Sequence, residues 1–148
     1  MSSKSTDKTP GFESKCVAFA LRKSALTVGR IYSAEMAEAP LRGPLFSLMM
    51  TIRRTGPATI SALAREVGLE RTTLTRDLRS LEQRRLIQIS AGGANSKSVV
   101  LTKLGEQEVQ KSLVHWQAAQ ARVLEALGAE RWERMRADLA AVMALEGI

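Results

Sequence analysis

Cysteine occurs once in this 148-residue chain, at Cys16, and histidine once, at His115. A single cysteine excludes an intramolecular disulfide framework and points to a reducing compartment. Zinc needs three or four ligands, which this pair does not supply, so no metal site is expected. No Ser–His–Asp set, P-loop or GxGxxG is present, so no catalytic residue and no cofactor are expected and the chain is not read as an enzyme. Aromatic residues make up only 4% of the chain. The core must therefore rest on Leu, Val, Ile, Met and Ala, which favours helices over strands. The longest uncharged runs, such as Leu86 to Ser96, fall well short of the roughly 20 apolar residues that cross a bilayer. Met1 to Thr9 is rich in Ser, Thr and Lys and has no apolar stretch, so it reads as a solvated tail and not a secretory signal. No membrane partner is expected, and the expected location is the cytoplasm.

What is present is positive charge, unevenly placed. The net charge is +7. Residues 53–103 carry ten Lys/Arg against four Asp/Glu, whereas residues 1–52 have seven against four and 104–148 five against seven. An excess confined to the middle third is the footprint of a polyanion site on one part of the structure.

Hydrophobic period and breakers divide the chain. A helix is expected from Glu13 to about Glu38, with Val17, Leu21, Val28 and Tyr32 on one strip, ended by Ala39-Pro40. A second runs from about Pro44 to Arg54 and stops at Thr55-Gly56-Pro57. Thr59 is a good N-cap for a helix over Ile60 to Val67, Gly68 is a natural left-handed turn, and another helix follows from Glu70 to Arg84. Helix, glycine turn, helix is the layout of a helix-turn-helix. Leu86 to Ser90 and Ser98 to Leu101 then read as strands around a small, flexible turn, which makes a hairpin wing. Thr102 caps a long helix to Leu127, and Gly128 separates it from a last helix carrying Trp132, Met135, Leu139, Val142 and Met143. The broad apolar faces of the first and last two helices exceed what one small helix-turn-helix needs, and they predict a helical homodimer interface. The fold class is mainly α with a small β-hairpin wing: a winged helix-turn-helix DNA-binding lobe over 44–103, and a helical dimerisation region over 13–39 and 104–148. Residues 1–12 form the tail of a single domain spanning 13–148.

At about 100° per residue, Leu74, Leu78 and Leu81 share one stripe of the helix from Glu70 to Arg84. Thr72, Arg76, Arg79 and Gln83 lie opposite, flanked by Thr73, Thr75 and Ser80. Arginine reads guanine bidentately, and threonine offers a hydroxyl and a methyl to phosphate or base edges. A solvated helix face ordinarily mixes Glu with Lys; this one is biased to arginine and hydroxyl. Arg71 at the head of the helix joins the candidate contacts. Thr59 and Ser61 open the preceding helix, where they can meet phosphate, and Asn95, Ser96 and Lys97 sit at the hairpin tip, where a wing touches the backbone or the minor groove. Exposed aromatic stacking platforms are missing, so double-stranded DNA is favoured over RNA.

These residues carry a family resemblance. Leu63 through Glu82 (LAREVGLERTTLTRDLRSLE) resembles the LAxxLGxDRTTLTRxLxxLE core of MarR-type transcriptional regulators. Leu101-Thr102-Lys103-Leu104-Gly105 resembles that family's LTxxG, and Trp116 to Gln120 resembles its WxxAQ segment. The similarity runs from about Cys16 to the C-terminus. It implies a homodimeric winged helix that binds a palindromic operator, most often as a repressor released by a small phenolic or other aromatic effector, or by oxidation. The sequence departs from the family at Gly93 and Asn95, where the wing usually carries Asp-x-Arg, in a shortened segment over 41–46, and at Glu70 in place of Asp.

The effector cleft implied between the long helices and the DNA-binding lobe would be lined by Tyr32, Met36, Met49 and His115. Cys16, beside Lys15 at the first turn, matches the place of the cysteine in the peroxide-sensing branch. Its spacing to Tyr32 differs, which favours a packed, inert thiol. Two other readings remain at this stage: an architectural or accessory DNA-binding protein acting mainly by charge, and a helical protein whose basic face takes an acidic partner.

Overall fold

N-caps and breakers place the elements. The computed structural model describes residue 11 and residues 15–91 and 96–145. In chain order these form α1 (Val17–Glu35), α2 (Gly43–Thr55), β1 (Ala58–Thr59), α3 (Ile60–Val67), α4 (Arg71–Gln83), β2 (Ile87–Ala91), β3 (Lys97–Leu101), α5 (Lys103–Leu127) and α6 (Ala129–Met143). Thr59 is extended and its hydroxyl accepts the Ala62 N–H at 3.1 Å, which starts α3. Gly68 ends that helix at φ 63° and ψ 31°, a conformation glycine reaches without steric cost. Thr102 starts α5 in the same way, accepting the Gly105 N–H at 3.0 Å.

Several boundaries differ by a residue or more from the sequence expectation, two of them for a visible reason. Helix α1 stops at Glu35 and does not reach Glu38: Met36 leaves helical geometry and the Ala37 N–H turns to Ala34 O at 3.3 Å. Leu86, expected to open a strand, instead closes α4. Its N–H donates to Leu81 O at 3.0 Å while the Arg85 N–H donates to Glu82 O at 2.8 Å. Arg85 sits at φ 59°, the position where such helix ends ordinarily place glycine. An arginine held there costs about 1–2 kcal/mol.

The three strands are antiparallel in the order β1-β3-β2. Val99 of β3 pairs with Ala58 on one side and Ile89 on the other, and it is fully buried. Its side chain joins Leu48, Met49 and Ile52 of α2, Leu63 of α3, Leu74, Leu78 and Leu81 of α4, and Val109 of α5 in one core. Each fully buried Leu or Ile contributes roughly 1.5–3 kcal/mol by leaving water. Helix α5 crosses this core so closely that a Cβ built on Gly105 would lie 1.9 Å from Leu86 O. Helices α1 and α6 contribute no buried residue at all. Among the described residues, no helix is long and apolar enough to cross a membrane.

Candidate nucleic-acid interface

Helix α4 is anchored on one side and open on the other. Leu74, Leu78 and Leu81 are buried to 1% exposure or less. The helical repeat then turns Arg71, Thr72, Thr75, Arg76 and Arg79 outward, where they line one open cleft of about 410 Å³. The Thr75 hydroxyl donates to Arg71 O at 2.7 Å, which fixes its rotamer and leaves its methyl and oxygen lone pairs facing out. The Arg76 side chain is 76% exposed and rests against Asp77 Oδ1 at 3.3 Å. An exposed pair of this kind is weak, so the guanidinium can exchange it for a better acceptor.

A second, smaller cleft of about 120 Å³ lies between α4 and the hairpin, lined by Ile60, Thr75, Leu78, Arg79, Glu82, Ile89 and Lys97. Arg79 lines both clefts, and so links the helix face to the wing. Lys97, expected at the hairpin tip, is instead the first residue of β3 and pairs with Ala91. Ser96 is half-buried next to it. Asn95, together with Gly93, lies outside the described residues. Thr59 and Ser61 are exposed at the start of α3, whereas Thr73 is half-buried and lines neither cleft.

The basic residues of the middle third are unevenly neutralised. Arg53 pairs with Glu106 at 2.7 Å and Arg54 with Glu66 at 2.5 Å. Among the described residues, no ion pair or hydrogen bond engages the side chains of Arg71, Arg79 or Lys97. Three such cations around a helix face with no acid at its centre form a surface suited to phosphate and base-edge acceptors. Glu82 at its margin, with Ile60 and Ile89, was not singled out by the sequence reading. Their proximity depends on how the hairpin packs on α4, which no local spacing reveals.

Away from this face, the residues assigned to an effector cleft differ in burial. Met36 and Met49 are 2% and 0% exposed and belong to the core. Tyr32 and His115 are half-buried. The Tyr32 hydroxyl donates to Gln120 Oε1 of α5, and burial raises its pKa above the ordinary tyrosine value. Glu35, at the end of α1, accepts Arg122 Nη1 at 2.6 Å. An open cleft of about 650 Å³ lies elsewhere, against α1, lined by Phe19, Ala20, Lys23, Ser24, Thr27, Val28, Leu127 and Met135. Cys16 is half-buried and caps α1, its Sγ accepting the Phe19 N–H at 3.5 Å. No group of three or more His, Cys, Asp or Glu able to hold a metal occurs among the described residues.

The MarR family model matches residues 43–99, the stretch from α2 through the centre of β3. The M. tuberculosis transcriptional regulator MosR, in a structure with DNA, is 32% identical, with 88% of this chain and 95% of that chain covered and a TM-score of 0.78. The transcriptional repressor CouR, bound to a 23-mer DNA duplex, is 20% identical, with 93% and 99% covered and a TM-score of 0.81. Bordetella bronchiseptica BpsR, whose DNA binding is regulated by 6-hydroxynicotinic acid, is 17% identical, with 87% and 94% covered and a TM-score of 0.79. No curated protein matches the chain at a significant level.

Proposed function

The chain belongs to the MarR family of DNA-binding transcriptional regulators, and from that premise we propose that it is a homodimeric repressor released from a palindromic operator by a small-molecule effector. The observation that carries the DNA-reading assignment is the division of α4 into a buried leucine stripe and an open face of Arg71, Thr72, Thr75, Arg76 and Arg79. In the major groove Arg76 and Arg79 reach base edges, Thr72 and Thr75 present hydroxyl and methyl groups, and Thr59 and Ser61 meet phosphate. Lys97, with Ser96 beside it, brings the wing to the backbone, and Asn95 is a candidate contact by its place in the sequence.

Dimerisation is supported by what the single chain leaves uncovered. Val17 and Leu26 of α1 are 68% and 54% exposed, and Val142, Met143 and Leu145 at the other end are exposed as well. A second copy would cover these faces and align two α4 helices with two half-sites. Repression is supported by CouR, described as a transcriptional repressor, and effector control by BpsR, whose DNA binding a small aromatic acid regulates. The α1–α5 junction at Tyr32 and Gln120, with half-buried His115 elsewhere on α5, is where an aromatic effector would act on the angle between scaffold and lobe. DNA as the partner sets the working compartment as the cytoplasm.

Selection of bound fragments from the source genome, followed by footprinting, tests this reading. A two-fold-symmetric protected site bound at least about 10³-fold more tightly than random DNA at matched salt supports it. Uniform, salt-driven binding to all duplexes would instead indicate an architectural protein.

A further inference from the structure

One peptide group stands between the DNA-reading helix and the long scaffold helix. The carbonyl of Pro40 accepts a hydrogen bond from Arg84 Nη2 at 3.1 Å, and the N–H of Leu41, the other half of that same peptide, donates to Ser112 Oγ at 3.0 Å. Arg84 is the C-cap of α4; Ser112 lies in α5. Ser112 is the one fully buried polar side chain among the described residues. Its hydroxyl donates onward to Glu108 O at 2.8 Å, so its lone pairs are aimed at Leu41. The Leu41 side chain is itself fully buried. The backbone just beyond Arg84 is pinned a second time, where Leu86 O accepts the Thr102 N–H at 3.0 Å.

Two fixed points define a direction. The Thr102 hydroxyl, donating to Arg85 O at 2.7 Å, and the Thr102 N–H hold this end of α4 at the start of α5, and the buried leucine stripe holds its inner face; the Arg84–Pro40–Leu41–Ser112 chain adds a separate attachment further along α5. We propose that Arg84 and Ser112 are positioning residues that set the angle at which α4 leaves the scaffold, and thereby the half-site spacing that the dimer accepts. The proposal rests on the dimeric operator reading above. Neither residue touches DNA in it. Both act through the Pro40–Leu41 peptide.

The test uses the footprinted operator and duplexes with one central base pair inserted or removed. Wild-type protein is compared with Arg84→Lys, Ser112→Ala, the double variant, and Arg85→Met as a charge control on the neighbouring arginine. Arg84→Lys keeps the charge on an exposed site, so it folds even if the buried Ser112→Ala change does not. In each single variant, the affinity ratio between native and altered spacing should shrink by about tenfold. The double variant should lose no more than the stronger single one, because both act on one peptide. Arg85→Met should keep the wild-type ratio. Equal weakening on every spacing, with the ratio intact in Arg84→Lys, would overturn the positioning role while leaving the operator reading in place. A wild-type protein without spacing preference would overturn both.

Discussion

Tyr32 and Gln120, 88 positions apart in the chain, are joined by a hydrogen bond from the phenol to Oε1. With the Glu35–Arg122 pair close by, this fastens the end of α1 to the middle of α5. Tyr32→Phe removes the donor from a half-buried site and should lower stability by about 0.5–1.5 kcal/mol, read from urea unfolding. It also has a pH signature. Burial raises the Tyr32 pKa in the folded state above 10.0. The folded chain then holds its proton more tightly than the unfolded chain, so this contribution is complete below pH 10 and is lost as pH rises through the folded-state value. The wild-type protein should lose stability along that alkaline limb, and Tyr32→Phe should not. Identical limbs would show that Tyr32 is not the titrating group.

Gly105 is required by distance and not by backbone angle. Its Cβ would lie 1.9 Å from Leu86 O, an atom already engaged by the Thr102 N–H. Gly105→Ala should therefore destabilise by about 3 kcal/mol or more, beyond the usual gain of alanine over glycine in a helix. Chemical denaturation measures it, and a neutral effect would mean that α5 shifts freely against the hairpin.

Leu26 is more than half exposed on a helix that has no fully buried residue within its own chain. If α1 packs on a second copy, Leu26→Asp places a charge in that interface and should weaken association by at least about tenfold. Sedimentation at micromolar concentration reads the shift to monomer. The full-length variant should still show the unfolding transition of the core, since Leu26 lies outside it.

Legibility in the sequence followed the range of the interactions. Helix α3 was readable to the residue because Thr59 and Gly68 act within one turn of their own positions. The leucine stripe and the open face of α4 followed from helical period alone. Strand β1 was not readable, since two residues become a strand only by pairing with β3, some 40 positions away. Met36 and Met49 were expected to border an effector cleft, yet both are core. The turn after Glu35 and the packing of α2 under α5 bury them, and methionine spacing does not report that. The cleft lined by Phe19, Lys23 and Met135 joins opposite ends of the chain. No local pattern announces it. The WxxAQ segment did mark Gln120, but its partner Tyr32 became visible only once α1 lay against α5.

The most direct measurement is a set of binding isotherms for Arg76→Ala on the operator and on scrambled duplex at several salt concentrations, with Lys97→Ala beside it. Arg76 is exposed, so folding should change by no more than about 0.5 kcal/mol. Lys97→Ala should weaken operator and scrambled DNA alike and reduce the salt slope by about one unit per subunit. Arg76→Ala should weaken the operator alone by about 1–3 kcal/mol and relax discrimination at one base pair per half-site. Wild-type operator affinity in Arg76→Ala would show that the open face of α4 does not read DNA.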